Sequence, residues 1–108
     1  MEKRDLSRPK QWLIEQCQRI NFGRLTFAVR GGEPDLRQSY RAIRTVRTDA
    51  AENGSRRELA RSNFELRKEQ IALLMQLAGL PDGTRVTVKL IHGLPGSTID
   101  IEEEHKAA

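Results

Sequence analysis

DLRQSYRAIRTVRT, residues 35–48, is the stretch on which the architecture turns. Coiled into a helix, it would set Tyr40, Ile43 and Val46 on one face and Arg37, Arg41 and Arg44 on another. The element order would then be α-β-α-α-β-β, that of a winged helix, with the later leucine-rich helix as its recognition helix. Extended, the same residues use the pleat preference of Thr45, Val46 and Thr48, with a bulge where the alternation slips between Ile43 and Val46. The strand is the preferred reading, because Gly31-Gly32 just upstream supplies the positive φ of a hairpin turn. Against the winged helix stand the acidic residues after its wing and the leucines that fill its recognition helix.

On the N-terminal side of that turn, Leu25, Phe27 and Val29 alternate with Arg24, Thr26, Ala28 and Arg30, the period-two pattern of a half-buried strand. Further upstream, Leu13, Cys17 and Ile20 recur at i, i+4 and i+7, flanked by Trp12 and Ile14. With Ser7 as N-cap and Pro9 in the first turn, this predicts a helix over residues 8–20. On the C-terminal side, DAAENGS (residues 49–55) is a polar loop. Ser62 and Glu65 have capping-box spacing, so a second helix is expected from there. Leu66, Leu73, Leu77 and Leu80 mark its stripe, and Gly79 and Pro81 end it. Val86, Val88 and Leu90 then alternate as a strand, Gly93-Leu94-Pro95-Gly96 turns the chain, and Ile99 and Ile101 continue on a partner strand.

The expected fold is therefore α+β, a two-layer αββαββ sandwich with a mostly antiparallel four-stranded sheet and two helices on one face. Helix, strand and turn recur twice in the same order. One domain over residues 1–108 is expected, with residues 1–7 and 103–108 as flexible tails; the length suits a single core. The segment QWLIEQCQRINFGRLTFAVRGGEPD resembles the small YezD-like bacterial proteins in its short helix, its Gly after an aromatic, its apolar strand and its glycine turn. That resemblance covers residues 11–47, implies a basic second strand, and implies no activity.

Charge narrows the function. Residues 1–61 carry 14 Lys and Arg against 8 Asp and Glu, a net +6, whereas residues 62–108 carry 5 against 7, a net −2. Residues 36–47 hold four arginines and no acid. Guanidinium forks suit phosphate, and an aromatic among them suits a base, so Arg37, Tyr40, Arg41, Arg44 and Arg47, extended by Arg56 and Arg57, form a candidate nucleic-acid-binding set. The simpler reading of the segment is a solvated edge strand whose charges prevent aggregation. The alternative function is a protein-interaction or structural module that dimerises or docks a partner through a sheet edge. HGLPGS has the GxxG spacing of the KH clamp, yet it joins two strands and precedes acids, so a plain turn is the simpler reading. The heptad spacing of Leu59, Leu66, Leu73 and Leu80 lacks the second apolar seam of a zipper.

No catalytic residues, metal ligands or cofactor are expected. Cys17 is the single cysteine and falls on an apolar helix face, and no nucleophile elbow, phosphate loop or dinucleotide fingerprint occurs. No apolar run reaches the length of a membrane span, which points to a non-enzymatic cytoplasmic protein.

Overall fold

The computed structural model describes residues 1–49 and 63–107. These form an α+β fold of two helices and an antiparallel sheet, in the order α1 (Arg8–Ile20), β1 (Gly23–Arg30), β2 (Glu33–Pro34), β3 (Arg41–Arg44), α2 (Lys68–Ala78), β4 (Arg85–Ile91) and β5 (Leu94–Glu102). Five strands appear rather than four, because the expected second strand is split. The short β2 pairs with the end of β1, and β3 pairs with its start, so both share one edge of the sheet. Residues 35–40 bulge away between them, held by hydrogen bonds from the Asp35 amide to the Ala28 carbonyl and from the Gln38 amide to the Asp35 carbonyl. β4 lies on the other side of β1, and β5 forms the far edge.

Residues 41–44 are a strand in unbroken register with β1, the preferred reading, which removes the winged-helix order. Two further expectations need correction, and the first is the bulge, since none separates Ile43 from Val46. The register shift falls instead in β5, where the three residues 96–98 stand opposite Lys89, two more than an unbroken ladder has. The second hairpin turns at His92-Gly93, with φ of 54° and 75°, and not over residues 93–96. Gly31-Gly32, at 63° and 77°, makes the same tight turn in the first hairpin. Two consecutive positive φ values match the right-handed twist of the strands they join. Gly93 supplies the second of them, and Leu94 and Pro95 are left to pair with Ile91 and Leu90.

The start of α2 also differs. Ser62 lies outside the described residues, and Arg67 is the N-cap, its amide bonded to Gln70 Oε1 at 2.9 Å. The preceding residues cannot be helical because their backbone groups are engaged elsewhere. The Leu66 amide donates to the Met1 carbonyl, and the Phe64 carbonyl accepts from the Lys3 amide. The N-terminus is consequently pinned rather than a tail. Lys3 is only 4% exposed, its ammonium 2.8 Å from Glu15 Oε1 on α1 and 5.8 Å from the Phe64 ring centre.

One apolar cluster joins the layers. Leu13, Ile14, Cys17 and Ile20 of α1 and Leu73, Leu74 and Leu77 of α2 meet Leu25, Phe27 and Val29 of β1 and Val86, Val88 and Leu90 of β4. Alternation sends these strand residues to the helices and leaves Arg24, Thr26, Arg85, Thr87 and Lys89 on the opposite face of the sheet. An approximate two-fold relates the halves. Arg24, Leu25 and Thr26 stand 61 positions before Arg85, Val86 and Thr87, and Pro34 stands 61 before Pro95. Its axis passes between Thr26 and Thr87, which are register partners with their hydroxyls 2.9 Å apart.

Gly23 makes the β1–β3 pairing possible. Its φ is 149°, and a Cβ there would overlap the carbonyl oxygen of Ile43. Only a residue without a side chain lets β3 approach this closely.

Candidate nucleic-acid interface

The face of the sheet turned away from the helices is built in rows, because register partners in an antiparallel pair share a face. Ile43, Arg24 and Lys89 stand side by side on β3, β1 and β4. The next row is Arg41, Thr26, Thr87 and Asp100, and beyond it Arg85 faces Glu102. Arg24, Arg41 and Lys89 are exposed, and among the described residues none of the three forms an ion pair.

Arg24 opposite Lys89 is unfavourable in isolation. Like charges directly across a strand pair repel, with Cβ atoms about 5 Å apart. Around them the surface is apolar. Ile43 and Ile91 are about half exposed, and Phe22 is 37% exposed with its ring edge-on to His92 at 4.7 Å. Phe22, Arg24, Ile43, Thr45, Lys89 and Ile91 line a groove of about 420 Å³. The Thr45 amide donates to the Phe22 carbonyl, which carries the groove wall past the end of β3.

Of the residues singled out in the sequence, Arg41 joins this face. Arg44 pairs with Gly23 on the other side of the pleat. Arg37 lies 3.5 Å from Asp35 in the excursion, and Arg47 lies 3.4 Å from Asp49 beyond β3. Tyr40 packs edge-on against Trp12 of α1, with ring centres 4.9 Å apart, and so covers the helix side. Arg56 and Arg57 lie outside the described residues. The structure thus assembles a different basic set, Arg24, Arg41 and Lys89. Alternation alone places Arg24 and Lys89 on solvent-facing positions of their strands. Their pairing depends on the register between β1 and β4.

Elsewhere, Cys17 is fully buried, and burial pushes its thiol up to about 12, which keeps it out of nucleophilic chemistry near neutral pH. Among the described residues no group of three His, Cys, Asp or Glu is placed to hold a metal, and no helix is long and apolar enough to cross a membrane. No protein-family model, curated protein or solved structure matches the chain.

Proposed function

We propose that this protein is a non-enzymatic nucleic-acid-binding protein that engages phosphates through Arg24, Lys89 and Arg41 on the exposed face of its sheet. The carrying observation is the row in which Arg24 stands directly across from Lys89, with Arg41 in the next row, and without a carboxylate partner for any of the three among the described residues. Two cations set side by side at the centre of a sheet repel each other, and a bound phosphate would turn that repulsion into attraction. Arginine and lysine on neighbouring strands also give forked and point-charge contacts to the same backbone.

The test is anisotropy of a labelled oligonucleotide across a salt series. Binding should weaken steeply with salt, and Arg24→Ala/Lys89→Ala should reduce the magnitude of the log–log slope by about 2, near one unit for each phosphate no longer held. An unchanged slope would remove these residues from the interface.

A second reading is supported by β5. Its nine residues border the sheet, with no further strand paired to their outer side among the described residues. Such an edge is a template for a second chain. Light scattering across a concentration series tests it, since self-association through this edge requires the mass to rise with concentration.

A further inference from the structure

Resting on the reading of the face as a nucleic-acid site, we infer that its ligand is a single strand, one unpaired base of which enters the groove beside Phe22 while its flanking phosphates lie on Arg24 and Lys89. The groove is unlike a surface that needs only to meet phosphates. Its volume is about 420 Å³. Its walls are apolar where a base ring would sit, with Ile43 51% and Ile91 47% exposed to either side. The exposed phenyl ring of Phe22 is part of the lining and meets His92 edge-on. Arg24 and Lys89 share one row of the face, and both line the groove together with Phe22.

An aromatic and a cation pair in one groove match a single strand, whose bases can splay from the backbone and stack on a side chain. A duplex fits it poorly. Its bases are already stacked and paired, so it would offer only phosphates, and Phe22, Ile43 and Ile91 would lie against charged backbone and water. A sheet backed by two helices is also too broad to enter a major groove in the way that a helix or a two-stranded ribbon does. Thr45, at the groove wall, adds a hydroxyl within reach of a base edge.

The experiment uses the full chain and two labelled probes of about a dozen nucleotides, an oligo-dT single strand and the oligo-dT·oligo-dA duplex, a length within common single-strand site sizes. Wild type should bind the single strand at least about tenfold more tightly than the duplex. Phe22→Ala should weaken single-strand binding on the order of 5- to 100-fold, the loss of one stacked base, and leave duplex binding unchanged. Phe22→Trp keeps a ring in the groove and should restore the affinity, which separates stacking from any effect of Phe22→Ala on folding. Arg24→Ala/Lys89→Ala should weaken both probes. Equal affinity for the two probes, or equal losses on both in Phe22→Ala, would overturn the base site while leaving the phosphate reading intact. No binding of either probe at low salt would overturn both, and a mass that doubles with concentration would then assign the face to a second copy of the chain.

Discussion

In the first hairpin β1 runs through Gly31-Gly32 to a buried Pro34, and in the second β4 runs through His92-Gly93 to a buried Pro95. After each proline the pairing is interrupted, by residues 35–40 in one half and by the register shift at residues 96–98 in the other. The helices correspond too, since Leu13, Ile14 and Cys17 precede Leu73, Leu74 and Leu77 by 60 positions and all six are buried. The interiors are therefore equivalent, whereas the outer faces are opposed in charge. On either side of the Thr26–Thr87 axis, Arg41 corresponds to Asp100 and Ile43 to Glu102, because they flank equivalent residues of β1 and β4. Lys89 stands where the first half has Ala28. One half of the face gathers cations that have no carboxylate partner among the described residues, and the other sets acids beside Arg85. Core positions answer to packing alone and stay alike, while the exposed positions of the same frame are free to diverge.

This comparison can be broken most directly in the core. Phe27→Ala should cost about 3–5 kcal/mol, and its counterpart Val88→Ala measurably less, since a valine leaves a smaller cavity. Urea denaturation reads both, and equal losses would mean that the halves do not share one packed interior. On the outer face the prediction is asymmetric. Arg24→Ala should lower oligonucleotide affinity several-fold, whereas its equivalent Arg85→Ala, beside Glu102, should change it little. Gly23→Ala should cost about 1–3 kcal/mol and free β3 from β1, seen as faster amide exchange at hydrogen-bonded residues of 41–44 with β4 and β5 unchanged.

Cys17, the titratable counterpart of Leu77, sharpens the comparison of the helices. Its folded thiol is raised to about 12 from an ordinary value of 9.0, so the folded state retains a proton that the unfolded state releases at lower pH. Stability from this site is then fully present below about pH 9 and declines by about 1.4 kcal/mol per pH unit as pH rises toward 12. Cys17→Ala should remove that slope in a pH series of melts. The smallest effect is expected at the axis itself. Thr26→Val alone should cost about 0.5–1.5 kcal/mol by stranding the partner hydroxyl, whereas Thr26→Val/Thr87→Val should recover most of that loss. A double-mutant cycle measures the difference.

Much of this fold is legible in the chain. Pro9 marks the first turn of α1 after Ser7, whose hydroxyl donates to Glu33 rather than capping the helix, and the alternations around Leu25 and Val86 mark β1 and β4, because side-chain periods are local. Residues 35–48 are less legible, since β3 keeps four of them only where Gly23 allows a strand to approach. The apparent cap at Ser62 misleads for a similar reason. Residues 64–66 are recruited by Met1–Lys3, a partner more than sixty positions away that no local spacing announces.

What the sequence determines by itself is the class of fold, the two apolar helix faces, and which residues of each central strand face solvent. Only the tertiary structure decides that Arg24 meets Lys89, that Tyr40 turns to Trp12 rather than to the arginines, and that Phe22 lines a groove with Ile43 and Ile91. The period of a strand specifies a face, but register specifies neighbours, and register is settled by the packing of both helices on β1 and β4 together.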